Sequence, residues 1–362
     1  MAMRRNLRTE AHLHALSLLA SSPQRSADAV HHVARLDQAG REEFFRLADI
    51  HHVVIRALQT LARDAAAGGQ AELANLAQAA VDQEQERIAK AVAALQRICV
   101  ELEAAGCPVA VMKTLDHWPD FGSDLDLVTM ADARHIESVF LERLNGRLLA
   151  RSLGDHLAHK RGFKVEGLRE TVEIHVGRLG QAGEHTGLAR RFLDRRVPAT
   201  FKGNTFLLPA PEERIIEGTL ERMYRHLYFR LCDIYDTARI VESGSVDYKE
   251  LRAAADLGGI WAGVATHLRI TSEYLREYRG TGLHLPKDVL AAARFGEDKL
   301  ITRSKYIWVP ILPQSCALFA RQYAQLVWSG NVSATVRLSL LPPLASIAVL
   351  AHAVGANSER IW

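Results

Sequence analysis

The strongest constraint on this chain is a change of hydrophobic period. Within 71–105, Ile88, Val92, Leu95, Ile98 and Leu102 recur at spacings of three or four, which marks one helical face. Gly68 and Gly69 precede that stretch, and Gly106 with Pro108 ends it. Beyond Pro108 come short β-branched runs: PVAVMK (108–113), DLDLVT (124–129), FKVEG (163–167), TVEIHV (171–176) and NTFLLP (204–209). A polar turn separates the first two, and a helix-like stretch, 131–144, follows the second. From Ala210 the helical pattern returns, first over 211–243 with Pro211 and acidic residues at its start. Further helical segments fall around 247–256, 260–278, 286–296 and 314–329. The order predicts an α+β chain: a helical region over 1–105, a small α/β module with a mixed β-sheet over 106–209, and a helical domain over 210–362.

At 362 residues the chain can bury a sizeable core. Lys and Arg number 45 against 42 Asp and Glu, a net +3, which permits a phosphate-rich ligand without the concentrated patch that nucleic acid asks for. Cys99, Cys107, Cys232 and Cys316 are scattered, with no CxxC pair, which points to a reduced, cytoplasmic setting. His12 and His14 interrupt the N-terminal leucines, against a signal peptide. The apolar tail from Leu338 to Ala351 contains Pro342 and Pro343 and falls short of the roughly 18 residues a membrane span needs. It reads as buried core.

Chemistry concentrates in residues 109–130. Alternation along a strand puts Asp124 and Asp126 side by side on one face, with Leu125 and Leu127 toward the core. Two adjacent carboxylates repel unless a cation lies between them. Such a pair suits Mg²⁺ or Mn²⁺, which takes oxygen ligands and keeps positions for substrate phosphates. In 171–176, Val172, Ile174 and Val176 form an apolar face and Thr171, Glu173 and His175 a polar one. Glu173 is therefore a candidate third carboxylate. Taken alone, each pattern is more often a solvated strand face than a site; the combination carries the weight.

Met112-Lys113-Thr114, Asp124-Leu125-Asp126-Leu127-Val128 and Glu173-Ile174-His175, in that order, resemble the DNA polymerase β-like nucleotidyltransferase superfamily. More narrowly they are similar to the bacterial uncharacterised nucleotidyltransferase group, and the helical region with Arg230 to Ile234 extends the likeness over roughly 90–280. The resemblance implies a nucleotidyltransferase core and transfer of a nucleoside monophosphate from an NTP, ATP first among them, to a hydroxyl or amine with release of pyrophosphate. It implies Mg²⁺ or Mn²⁺ ions on Asp124 and Asp126, and Glu173 holding a second ion and helping to deprotonate the acceptor. Lys113 would contact phosphate. Thr114 stands where relatives carry a turn glycine, and Gly122 and Ser123 would supply flexibility there. On that reading Thr114→Gly is tolerated and Lys113→Ala weakens NTP binding.

Lys160, Arg161 and Lys164 precede the Glu173 strand and are candidates for neutralising a triphosphate, with a solvated strand edge as the plainer reading. Arg222, Arg225 and His226 lie on the first C-terminal helix, on a face the resemblance points toward the cleft. Asp233 reads as a structural hydrogen-bonding residue. Arg190, Arg191, Arg195 and Arg196 form a basic cluster, read first as a solvated helix face and second as a contact for RNA. A small molecule, or a peptide or protein side chain, is favoured as acceptor over RNA. Two other functions compete: a non-catalytic nucleotide-binding scaffold or sensor, and a metal-dependent glycosyltransferase, which also uses Asp-x-Asp. The latter needs a nucleotide-binding βαβ region ahead of the motif, where this chain is helical.

Overall fold

The structure is a computed structural model that describes residues 2–21 and 25–344. Helices come first: α1 (Ala2–Ser21), α2 (Ser26–Ala34), α3 (Gln38–Ile50), α4 (Val54–Ala67) and α5 (Ala71–Ala104). Asp37 caps α3 by accepting from the Gly40 N–H at 2.9 Å. Gly106, at φ 77°, takes the left-handed conformation that lets the chain leave α5 and enter the sheet.

The central sheet is mixed, as the sequence predicts. It contains β1 (Val109–Met112), β2 (Asp124–Thr129), β3 (Gly146–Leu148), β4 (Lys160–Val165) and β5 (Thr171–Val176), with α6 (Ala133–Arg143) and α7 (Leu153–Leu157) in the connections. The strand order is β1-β2-β5-β4-β3. Only β2 and β5 run parallel, and their register sets Asp124 opposite Thr171 and Asp126 opposite Glu173. One sheet face is apolar: Val111, Leu125, Leu127, Phe163, Val172 and Ile174 pack against Ile88, Leu95 and Ile98 of α5 and Phe140 of α6. The apolar face read from the sequence of α5 is thus what closes this side of the sheet.

The opposite face is covered only in part. Ala110, Met112 and Val128 meet α8 (Thr186–Asp194), which is followed by the hairpin β6 (Arg196–Phe201) and β7 (Asn204–Pro209), and then α9 (Pro211–Thr219). The α9 helix widens into a π-helical turn over Leu220–Arg225. The chain then breaks into a short strand, β8 (Tyr228–Phe229), before α10 (Leu231–Glu242).

The unbroken helical pattern over 211–243 is therefore corrected. Leu227 sits at φ 56°, and β8 pairs with β10 (Tyr306–Trp308), itself paired with β9 (Ile301–Arg303). Tyr228 stacks on Tyr306 with ring centroids 4.0 Å apart, a tertiary gain that outweighs local helix propensity. Further helices are α11 (Tyr248–Leu257), α12 (Trp261–Arg279), α13 (Lys287–Ala292), α14 (Cys316–Trp328) and α15 (Val332–Ser339).

A third cluster joins the N-terminal helices to distant ones: Leu16, Leu58 and Leu61 share a core with Cys232, Ile234, Ile270 and Leu275. Arg56 reinforces that junction, donating to Asp236 at 2.7 Å and to the Trp118 carbonyl at 2.8 Å. No helix among the described residues is long and apolar enough to cross a membrane. The buried-core reading of the apolar tail is corrected in its described part: Leu338 is buried, but Leu340, Pro342 and Pro343 are exposed because the helix end packs one face only. The tail beyond Leu344 lies outside the described residues.

Candidate active site

The carboxylates stand on the partly covered sheet face, where α9 and its π-helical turn lean over the ends of β1, β2 and β5. Asp126 is buried, with Asp124 exposed two positions earlier and Glu173 beside it on β5. Ligand atoms of Asp126, Glu173 and His175 all lie within 4.8 Å of one another. His175 Nε2 is 3.0 Å from Glu173 Oε1 and 3.8 Å from Asp126 Oδ1. Its Nδ1 is buried with no hydrogen-bond partner.

The cations come from three elements. Lys160, at the start of β4 and opposite His175, donates from Nζ to Glu173 Oε1 at 2.5 Å. Burial alone would raise Glu173, but Lys160 and His175 hold its carboxyl well below the ordinary range. Lys113 is clamped between three carboxylates, with Nζ 3.1 Å from Glu221, 3.3 Å from Glu217 and 3.7 Å from Asp126. Burial works against its charge, and those acids overcome it, so its ammonium is stabilised. Arg225 donates to Glu221 Oε1 at 2.7 Å, and His226 lies 2.9 Å from Glu221 Oε2. Asp124 is exposed at its surface, yet the protein crowded around its carboxyl, with the neighbouring Asp126 charge, pushes it upward.

Glu217 and Glu221 were not among the residues singled out from sequence. They belong to the series Glu217, Glu221, Arg225, whose spacing of four on one helical face was the available signal. Burial pushes Glu217 up to about 8, with Glu221 and Asp126 adding to the effect against Lys113. A π-helical turn carrying Glu221 and Arg225 fits the tendency of such turns to occur at functional sites.

Thr114 does more than occupy a turn position. The positive φ of the turn, 49°, falls on Lys113 rather than on Thr114. The Thr114 side chain is buried and pins the turn to β2, donating from Oγ1 to the Asp124 carbonyl at 3.1 Å and accepting from the Asp126 N–H at 2.9 Å. It thereby fixes the backbone of both aspartates. Ser123 Oγ donates to Asp124 Oδ2 at 3.1 Å, and the Gly122 carbonyl accepts from Arg87 at 3.3 Å.

Other candidates lie elsewhere. Arg161 faces the side of the sheet covered by α6 and donates to Glu137 at 2.5 Å, because residue 161 points opposite to residue 160. Lys164 donates to the Arg169 carbonyl at 2.5 Å. Arg222 lies 3.4 Å from Asp233, whose carboxylate also accepts from the Arg230 N–H at 2.7 Å. Three of the four clustered arginines are engaged: Arg191 with Glu213 and Glu250, Arg195 with Glu212 and Glu213, and Arg196 with Glu103. These pairs spend most of the cluster's charge inside the molecule.

Paired carboxylates on β2, a third on β5 and surrounding buried cations thus gather on one sheet face, and Asp126, Glu173 and His175 form a group that could hold a metal ion. The chain belongs to the uncharacterised nucleotidyltransferase family, whose model matches residues 37–276. Among solved structures it is similar to an antigenic nucleotidyltransferase-like protein from Paracoccidioides brasiliensis, at 17% identity and a TM-score of 0.34, over 57% of this chain and 97% of that one. No curated protein matches the chain.

Proposed function

We propose that this chain transfers a nucleoside monophosphate from an NTP, ATP first among them, to a hydroxyl or amine acceptor and releases pyrophosphate. The observation that carries the reading is the β2–β5 register, which sets Asp126 against Glu173 with Asp124 at the open end of the same face. The donor set suits a hard divalent ion. Asp124 has Ser123 as its hydrogen-bond partner and is exposed, so its carboxylate has lone pairs to offer. Asp124 and Asp126, with Glu173 beside them, would hold Mg²⁺ or Mn²⁺, which when bound neutralises triphosphate charge and polarises the α-phosphate.

The chain's own groups supply the rest. Glu173, kept ionised by Lys160 and His175, would accept a hydrogen bond from the acceptor group and orient it, the acceptor's proton passing to water as its oxygen or nitrogen bonds to the α-phosphorus. The bond from that phosphorus to the bridging oxygen breaks, and pyrophosphate leaves with the electron pair. Arg225 and Lys160 offset charge that builds on the phosphoryl oxygens. Lys113 acts at one remove, by holding Asp126, Glu217 and Glu221 in place.

A small molecule or a peptide or protein is favoured as acceptor over RNA, because the clustered arginines are largely paired. The test is a screen of the four α-labelled NTPs, and of sugar-labelled sugar nucleotides, with Mg²⁺ or Mn²⁺ against cell-extract fractions, with Asp126→Asn as control. A labelled product formed by the wild type and not by the variant supports transfer. Metal-dependent NTP binding without product across the fractions would favour the scaffold reading, and label transferred only from a sugar nucleotide would favour the glycosyltransferase.

A further inference from the structure

The resemblance implies two divalent ions, yet a protein cation already occupies the place nearest Glu173. We propose that Lys160 stands in for one of those ions, so that the chain binds a single divalent cation at Asp124 and Asp126. This inference rests on the transfer reading above and narrows it.

Three observations carry it. First, Asp126, Glu173 and His175 present atoms within 4.8 Å of one another, the spacing of a ligand set. Glu173 Oε1 there is already bonded twice, by Lys160 Nζ at 2.5 Å and by His175 Nε2 at 3.0 Å. An ion on that oxygen would have to displace an ammonium, and two cations at such range repel each other.

Second, Lys160 has little room to withdraw. Its side chain is 4% exposed and rises from the first residue of β4, whose pairing to His175 fixes where it starts. Gly162, directly opposite Glu173, puts no side chain on that face, so the ammonium of residue 160 meets the carboxylate without competition from its own strand. Lysine suits this position because it offers a compact charge with three donors, able to hold a carboxylate and still face a phosphate.

Third, the two halves of the site differ. Asp124 is exposed and bonded only to the adjacent Ser123 hydroxyl among the described residues, whereas Glu173 is locked into an ion pair. The open half accepts an ion arriving with the triphosphate. Burial and the nearby Arg225 work against the Lys160 ammonium, and its contact with Glu173 opposes them, so in the closed half the ion pair is where the positive charge is held.

The experiment counts ions. Mn²⁺ is titrated into the full chain with and without α,β-methylene-ATP, which resists cleavage at the α-phosphorus, and free Mn²⁺ is read by electron paramagnetic resonance. The wild type with the analogue takes up one Mn²⁺ per chain. Lys160→Met, which keeps the length and removes the charge, takes up two. Two ions on the wild type overturn the inference and leave the transfer reading intact. One ion on both proteins also overturns it, because Lys160 then excludes nothing.

Should Lys160→Met fail to fold, as judged by circular dichroism, Lys160→Gln replaces it. If neither folds, the wild-type count decides: one supports, two overturns. No Mn²⁺ on the wild type under either condition overturns the transfer reading and this inference together.

Discussion

Asp126 and Glu173 are direct neighbours across the parallel β2–β5 pair, and Thr114 binds the backbone of the same aspartate from the β1 side. The acidic centre is thus held by three segments that are far apart in sequence. A parallel pair needs a crossover, here built from α6, β3, α7 and β4, and that crossover is what delivers Lys160 to the site.

Replacing Asp126 with Asn keeps size and hydrogen bonding but removes the charge that a divalent ion needs. Transfer by Asp126→Asn should fall on the order of 100-fold or more, as when one preorganised electrostatic group is lost. Far-ultraviolet circular dichroism should stay native. Near wild-type turnover with unchanged metal dependence would remove Asp126 from the ligand set.

For Thr114 the structure shows a stability role that the sequence did not reveal. A glycine at 114 would free the buried Asp126 N–H and the Asp124 carbonyl of their partner, at a cost of about 1–3 kcal/mol. Thr114→Gly should therefore lower the denaturant midpoint, and Thr114→Ser should restore most of it. Equal stability of the glycine variant and the wild type would show that the hydroxyl is not needed to hold β2.

Much of this was legible in the sequence because strand alternation is a strict code. Asp124 and Asp126 on one face, Leu125 and Leu127 on the other, and Glu173 with His175 opposite Val172 and Ile174 all follow from period two. The same code would have separated Arg161 from Lys160, since adjacent strand residues point apart. Partners from distant segments carry no such code. Lys113 reads as a phosphate contact, and nothing near it in sequence shows that α9 and its π-helical turn bring Glu217 and Glu221 to its ammonium. The break at residues 226–230 was equally hidden, because the strand that Tyr228 and Phe229 join begins at Tyr306.

Away from the site, Glu297 offers a test of pH dependence. Burial, with Glu277 and Glu273 nearby, pushes its carboxyl up to about 7 from the ordinary 4.5. The folded chain then holds a proton that the unfolded chain has released, so this group's contribution to stability is fullest below about 4.5 and is lost as pH rises toward 7. Glu297→Gln should raise the melting temperature at pH 8 and change it little at pH 4.5. A shift of equal size at both values would mean that repulsion among these acids is not its source.

Lys113 gives the sharpest contrast between the two readings of one residue. As a phosphate contact, its loss would weaken NTP binding and leave the fold alone. As the cation shared by Asp126 and Glu221, with the raised Glu217 beside it, its loss leaves buried carboxylates uncompensated, a change that typically costs about 3–5 kcal/mol. Lys113→Met should therefore unfold at markedly lower denaturant than the wild type. The added replacement Glu221→Gln, which removes one of the stranded charges, should recover part of the loss. The recovery is the decisive measurement, because simple loss of packing would not be repaired by changing a neighbour's charge. A Lys113→Met chain as stable as the wild type but unable to bind NTP would instead return Lys113 to the phosphate.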